Sequence, residues 1–148
     1  MMAAGRALFR LVRFWSRRWA PEVAQRLDED APRTATVQNL YVVEAVHSAA
    51  PRGEVTVADV ARQLGLDRSV ASRMIADAVR DGYLRRDTSA EDARRARLSL
   101  TEAGAEFLNV SHAHQEQVFE ALVAHWPAED RHRFASYLDR LAREVLDS

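Results

Sequence analysis

The amino-acid sequence predicts a mainly helical fold that contains one small β-hairpin, an α+β arrangement. Three observations predict it. Apolar residues recur at helical spacing over most of the chain, two short segments alternate as strands do, and a glycine-centred turn separates two short helices. The 148 residues suffice for one hydrophobic core, and 47% hydrophobic with 29% charged residues is typical of a folded domain. With no internal repeat, residues 1–148 are expected to form a single domain.

The N-terminal segment predicts an amphipathic helix with an arginine-rich side. Its apolar stripe has helical spacing and consists of Leu8, Leu11, Trp15 and Trp19. Pro21 is expected to kink this helix or restart it, because proline lacks an amide hydrogen. Arginines interrupt any secretory signal, and no apolar window is long enough for a transmembrane helix. A role in dimer formation is expected here, with a transit peptide or a membrane-surface helix as the alternatives.

The next segments predict two further helices and the beginning of a third. Residues 28–33 form a polar break, residues 36–49 a helix, and residues 50–53 a turn. Thr56 and Asp59 have the spacing of a capping box, which opens a short helix that ends at Gly65. Asp67 is expected to cap the following helix, which runs to about Gly82.

Residues 55–74, VTVADVARQLGLDRSVASRM, predict a helix-turn-helix. Ala61 is small enough for two helices to cross closely, and Gly65 can adopt the positive φ that the turn needs. Apolar residues stand where the two helices must lock together: Val60, Leu64, Leu66, Ala71 and Met74. The alternative is an ordinary helical hairpin within a bundle.

A charged β-hairpin and two long helices complete the chain. Residues 83–86 and 96–100 alternate as strands, and the polar residues 87–95 form the hairpin tip. Thr101 is expected to cap a long helix, and Pro127 to open the last one. We expect the hairpin to lie beside the helix-turn-helix as a wing.

The charge distribution favours a nucleic-acid partner for this central region. The whole chain has a net charge of −1, yet residues 62–97 contain nine arginines and six acidic residues and are therefore net positive. Recognition helices present their first turns to the major groove, where arginine and serine can contact bases or phosphates. The candidate residues are Arg68, Ser69, Ser72 and Arg73. The alternative is a solvated helix face.

Residues 83–104, YLRRDTSAEDARRARLSLTEAG, resemble the MarR family of transcriptional regulators. The family pattern is an Asp-x-Arg at the wing tip, here Asp92-Ala93-Arg94, then a strand and Leu-Thr-x-x-Gly, here residues 100–104. Ser72-Arg73 and residues 81–84 match the family pattern as well, so that the resemblance spans residues 37–105. It implies a winged helix-turn-helix lobe over residues 36–100, with dimerisation helices over residues 5–30 and 101–148.

The resemblance also implies roles for single residues. Arg94 is expected to insert into a minor groove while Asp92 holds its guanidinium group. Arg95 and Arg97 are expected to contact phosphates, or else to be solubilising charges. Family members bind small aromatic effectors near the dimer interface, and the candidate residues here are Trp15, Trp19, Tyr41, His47, Phe107 and His112. For each aromatic residue taken singly, plain core packing is the favoured interpretation.

Together these features predict a bacterial, cytoplasmic regulator: a homodimeric repressor that binds an inverted-repeat operator in double-stranded DNA and answers to a small aromatic effector. Two alternatives are a winged helix that binds protein and a zinc-sensing regulator. His112 and His114 point to different helix faces, which argues against a shared metal ion. The chain has no cysteine and hence no thiol sensor. We expect no enzyme activity, metal or cofactor.

Overall fold

The computed structural model describes residues 3–27 and 29–147 and confirms a mainly helical fold with one hairpin. The elements, in chain order, are α1 (Ala4–Phe14), a π-helical turn (Trp15–Trp19), α2 (Ala20–Leu27), α3 (Arg33–Ala49), a 3-10 turn (Ala50–Arg52), α4 (Val57–Leu64), α5 (Arg68–Arg80), β1 (Leu84–Thr88), β2 (Ala96–Leu100), α6 (Glu102–Val123) and α7 (Ala128–Leu146).

The first predicted helix is interrupted just before Pro21, as expected. The amide of Ala20 donates to the carbonyl of Trp15, five residues back, so that the turn is wider than an α-helical one. Pro21 then lies in the first turn of α2, where its missing amide hydrogen costs little. The helix restarts rather than ends.

The third helix begins three residues earlier than the sequence pattern predicts. Pro32 is its N-cap, and the carbonyl of Pro32 accepts hydrogen bonds from both the amide of Thr36 (3.1 Å) and its hydroxyl (3.3 Å). Thr36 is therefore inside the helix, at the end of its first turn. The polar break is correspondingly shorter. Asp28, which the sequence pattern places in this break, lies outside the described residues.

Helix α3 is the centre of the hydrophobic core. It packs against α2, α4, α5 and α6 and contacts β2. Its fully buried valines are Val42, Val43 and Val46. The same core contains the fully buried residues Val23 of α2, Val60 of α4 and Ile75 of α5. The core therefore joins α2 to the helix-turn-helix in one folded unit.

The turn between α4 and α5 is built as the sequence predicts, with one exception. Thr56 and Asp59 form the capping box, and Gly65 has a left-handed φ of 65°. Asp67 is the N-cap of α5, but its side chain accepts no capping hydrogen bond, so that prediction is wrong. The carboxylate of Asp67 is exposed, and water can hydrate it there. Ile75, which the sequence pattern missed, is fully buried in α5, as are Ala71 and Ala78.

The hairpin is fixed to the rest of the lobe along β2. Leu84 pairs with Leu100 and Asp87 with Arg97 in antiparallel register. The amide of Leu98 donates to the carbonyl of Val55 (2.8 Å), and this bridge ties the wing to the residue before the capping box. Strand β2 has the predicted bounds, whereas β1 starts one residue later and ends two residues later. Tyr83 stays outside β1 because its amide donates back to Ala78 and closes the end of α5.

Helices α1 and α7 leave large apolar surfaces uncovered. Neither has a buried residue, although α7 contacts α6 through Phe134, which stacks on Phe119. The exposed apolar side chains of these two helices are Leu8, Phe9, Leu11, Val12, Phe14, Tyr137, Leu138, Leu141, Val145 and Leu146. No helix in the described part of the chain combines the length and apolarity needed to cross a membrane.

Candidate nucleic-acid interface

The outward face of α5 carries two of the four predicted contact residues. Ala71, Ile75 and Ala78 are buried, and a period of 3.6 residues places Ser69 and Arg73 on the opposite side. Arg68, Ser69 and Arg73 are exposed, whereas Ser72 is half-buried on the flank of the helix. Three of the four candidates are thus freely accessible and Ser72 only partly so.

The arginines at the start of α5 differ from the arginine at its end. Within residues 3–27 and 29–147, Arg68 and Arg73 form no ion pair. Arg80 is neutralised by Asp77 (3.2 Å) and Asp81 (3.5 Å). The uncompensated positive charge of the helix is therefore concentrated in its first two turns, which are the part that a groove-binding helix presents to DNA.

The tip of the wing is a closed turn with Arg94 on its surface. The amide of Ser89 donates to the carbonyl of Arg95 (3.0 Å), and the amide of Arg95 donates to the carbonyl of Asp92 (3.0 Å). Arg94 is exposed, and its guanidinium group has no ion-pair partner among the residues that the structure describes. A cation held out on a closed turn suits insertion into a groove.

Asp92 acts on Arg94 differently from what the family resemblance implies. Its Oδ1 accepts a hydrogen bond from the backbone amide of Arg94 (3.0 Å), and its Oδ2 lies 4.0 Å from Nε of Arg95. The expected contact with the Arg94 guanidinium group is absent from the described structure. The turn is tight, so the carboxylate closes onto the amide two residues ahead, as aspartate does in turns. Asp92 therefore orders the backbone under Arg94, not its side chain.

Arg95 and Arg97 are partly neutralised by neighbouring acids. Arg95 lies 3.8 Å from Glu91 as well as near Asp92, and Arg97 lies 3.7 Å from Asp87 on the paired strand. All these side chains remain partly exposed, and such ion pairs are weak in water. Their predicted contacts with phosphates stay predictions.

Two residues that sequence reasoning missed, Glu54 and Ser89, meet beneath the wing tip. The hydroxyl of Ser89 donates to Glu54, and the amide of Ala90 donates to the same carboxylate (3.1 Å). The hydrogen bond from Ser89 holds the pKa of Glu54 below its ordinary value, with help from Ala90, Arg97 and Arg95. The two residues are 35 positions apart, so no local pattern could have revealed the contact.

Comparisons with known proteins agree with this geometry. A sequence model of the MarR family matches residues 36–95, which contain the helix-turn-helix and most of the wing. These residues are a MarR-family winged helix. No curated protein matches the sequence.

Solved structures extend the likeness in fold to nearly the whole chain. A MarR transcriptional regulator from Methanosarcina mazei Go1 is 17% identical, with a TM-score of 0.73 over 97% of this chain and 96% of that one. S. aureus MepR in a DNA complex is 18% identical, with a TM-score of 0.63 over 91% and 94%. The heme sensor protein PefR from Streptococcus agalactiae, in complex with heme, is 17% identical, with a TM-score of 0.58 over 97% and 95%. The flanking helices therefore follow the MarR fold as well.

Two of the six predicted effector residues line one cavity beside the MarR-type lobe. His47 and His112 border a cavity of about 670 Å³ between α3, α6 and α7, and their rings lie 5.7 Å apart. His112 Nε2 is 2.7 Å from Oε1 of Glu44, and Phe119 and Leu138 supply apolar walls. Most of the other lining residues are polar or acidic, so the cavity is more polar than a typical small-molecule site.

The other four candidates are not brought to that cavity. Phe107 is buried and stacks on Tyr83 at 4.3 Å, so it is a core residue. Trp15 and Trp19 contact each other in the π-helical turn, with ring centroids 5.0 Å apart. Tyr41 is half-buried, and burial raises the pKa of its hydroxyl. Within the described residues, no group of three or more His, Asp or Glu side chains is placed to hold a metal ion.

Proposed function

We propose that this protein is a homodimeric, DNA-binding transcriptional repressor that works in the cytoplasm by binding rather than by catalysis. The observation that carries the proposal is the exposed charge of Arg68, Arg73 and Arg94, which lie on α5 and on the wing tip of a MarR-family lobe. None of the three forms an ion pair with another residue that the structure describes. Unpaired arginines can contact phosphates and guanine edges without first breaking an ion pair. The solved MepR–DNA complex supports duplex DNA as the partner.

The uncovered helices support a dimer. Exposed apolar stripes on α1 and α7 exceed what a single chain of this fold can bury, and a second copy is the simplest surface to cover them. A two-fold axis through these helices would present two copies of α5 to one face of a duplex. Half-sites about 34–36 Å apart and an inverted-repeat operator follow from that symmetry.

The decisive experiment measures binding to DNA fragments from the promoter of the gene itself, by fluorescence anisotropy at several salt concentrations. We expect the affinity to fall steeply with salt, and to fall further in Arg73→Ala. Arg131→Ala is the matched control, because it removes the same charge from an exposed site on α7. An affinity for DNA that changes neither with salt concentration nor in Arg73→Ala would refute the proposal and favour a protein partner.

We further propose that the cavity beside His47 and His112 admits a small, uncharged phenolic effector. The effector should carry no negative charge, because three carboxylates also border the cavity and would repel an anion. The two histidine rings offer hydrogen-bonding nitrogens, and Phe119 and Leu138 offer apolar contact. An effector relieves repression only if it favours a dimer with the wrong spacing between recognition helices. Phenol is a suitable probe: it should weaken DNA binding by the wild type and have less effect on His112→Ala. Equal effects on both proteins would place the effector elsewhere.

A further inference from the structure

The residue under the wing tip, Ser89, is buried although it lies at the end of an exposed hairpin. Its relative exposure is 5%, while every residue from Ala90 to Arg95 is exposed. Its hydroxyl oxygen accepts hydrogen bonds from the amides of Glu91 (3.1 Å) and Asp92 (3.2 Å) and donates its own hydrogen to Glu54. One hydroxyl therefore organises the first half of the tip.

Glu54 fastens this tip to the body of the lobe. One carboxylate oxygen receives the Ser89 hydroxyl and the other receives the amide of Ala90 (3.1 Å). Glu54 directly precedes Val55, whose carbonyl accepts a hydrogen bond from the amide of Leu98 in the wing. Thr56, the next residue, caps α4. Residues 54–56 thus hold the hairpin at two places, at its tip through Glu54 and at the middle of β2 through Val55. The same residues lead directly into α4, the first helix of the helix-turn-helix.

The same contacts lead on to Arg94. Ser89 holds the amide of Asp92, and the carboxylate of Asp92 holds the amide of Arg94 (3.0 Å). An arginine that binds in a groove gains affinity when its backbone is already ordered, because less conformational entropy is lost on binding. Without Glu54 the tip would keep its internal hydrogen bonds but lose the two that fasten it to the body of the lobe.

We infer that Glu54 and Ser89, here called the wing latch, are positioning residues for DNA binding that hold the wing tip so that Arg94 is presented to the groove. The inference rests on the proposed function, since it assigns the latch to the DNA-binding step. It adds to that function two residues, one outside the hairpin altogether, that touch no DNA and act through the loop. The latch itself is a property of the free protein.

The free protein tests the latch without DNA. Amide hydrogen exchange at Glu91, Asp92 and Arg94 is expected to accelerate at least tenfold in Glu54→Ala and in Ser89→Ala, because the closed loop opens more often. Glu54→Gln keeps one acceptor oxygen and should give intermediate rates. Glu106→Ala is the matched control, an exposed glutamate on α6 whose loss should leave these amides unchanged. Unchanged exchange in both latch variants would overturn the inference.

A double-mutant cycle then tests whether the latch acts through Arg94. We expect Glu54→Ala to weaken DNA binding about tenfold in the wild-type background, comparable with the loss of one net hydrogen bond, and hardly at all in an Arg94→Ala background. An equal loss in both backgrounds would overturn the positioning role, because it would signal general damage to the fold. If Arg94→Ala alone binds normally, the wing's part in the proposed function fails, while the exchange rates still report on the latch.

Discussion

The carbonyl oxygen of Tyr83 occupies the space that a side chain on Gly104 would need. A Cβ at position 104 would lie 2.1 Å from that oxygen, far inside any normal contact. The amide of Thr101 donates to the same oxygen (3.1 Å), and the hydroxyl of Thr101 donates to the carbonyl of Gly82 (2.6 Å). The Leu-Thr-x-x-Gly segment thus docks the start of α6 onto the end of α5, and this fixes the wing between the two helices.

Gly104→Ala should therefore lower the free energy of unfolding by about 1–3 kcal/mol, because the obstructing atoms belong to backbone and must move. Urea denaturation followed by circular dichroism measures the change. Gly5→Ala is the matched control. A Cβ at position 5 would meet no atom within 4 Å, and alanine favours the helix there. A Gly104→Ala protein as stable as the wild type would mean that α6 does not dock so closely.

Thr56→Ala should cost about 0.5–2 kcal/mol of stability, because it removes a hydrogen bond to the amide of Asp59 and breaks the capping box of α4. Asp67→Ala, at the N-cap of α5, should cost clearly less, since Asp67 makes no capping bond. Thermal unfolding of the two variants under identical conditions gives the comparison. A larger loss for Asp67→Ala would show that the cap of α5 forms in solution after all.

Arg94→Ala should weaken binding to the operator by about 1–3 kcal/mol and leave the dimer intact. The loss should be larger on DNA with an A·T-rich minor groove beneath the wing than on DNA with G·C pairs there, because the narrow groove has the stronger negative potential. Anisotropy titrations with the two duplexes measure both quantities. An Arg94→Ala protein that binds both duplexes as the wild type does would remove the wing from the DNA-binding surface.

Removal of residues 1–20 should weaken the dimer, because these residues include all of α1 and its exposed apolar stripe. Sedimentation equilibrium over a range of concentrations measures the dissociation constant. Arg10→Ala is a milder control that keeps the helix and its apolar side chains. A truncated chain that stays fully dimeric at the lowest concentrations would contradict the role assigned to α1.

Acid should loosen the wing latch. The pKa of Glu54 is lowered in the folded protein, chiefly by the Ser89 hydrogen bond and also by Ala90, Arg97 and Arg95. A depressed carboxylate pKa contributes stability that is present above the unfolded value and is lost as the pH falls through the folded value. Protection of the Asp92 amide, corrected for intrinsic exchange, should therefore decline as the pH falls below the ordinary carboxyl range. Glu54→Gln should flatten this pH dependence, and an unchanged profile in that variant would assign the effect to another group.

Local chemistry is what the sequence could predict, and contacts between distant segments are what it could not. The caps at Thr56 and Thr101 and the turn at Gly65 follow from residues within a few positions of each other, and the structure contains them. The partnership of Glu54 with Ser89 depends on how the hairpin folds back over the lobe, which no periodicity encodes.

For the candidate site residues, the sequence predicts the exposure of a side chain better than it predicts the groups that the side chain contacts. Arg73 and Arg94 are exposed as expected, whereas the carboxylate of Asp92 turned to the backbone because a tight turn offered a nearer donor. Phe107 is a candidate pocket residue in the sequence. In the structure α6 approaches Tyr83 closely at Gly104, and the Phe107 ring therefore stacks on Tyr83 in the core. Local turn geometry decided the first case, and tertiary packing decided the second.

The wide turn at Trp15–Trp19 changes the direction in which the N-terminal helix presents its surface. One additional residue in a hydrogen-bonded turn shifts the angular phase of the following residues by about 100°. In an uninterrupted helix, the stripe through Leu8 and Trp15 would be about a third of a turn out of line with Val23 and Ala24, which α2 buries. With the shift, the two stripes form one continuous seam, so that the surface left open for a partner runs straight out of the hydrophobic interior. Deleting a single residue from this turn would preserve both helices. It would rotate the apolar stripe of α1 by about 100° and break its alignment with the buried side of α2.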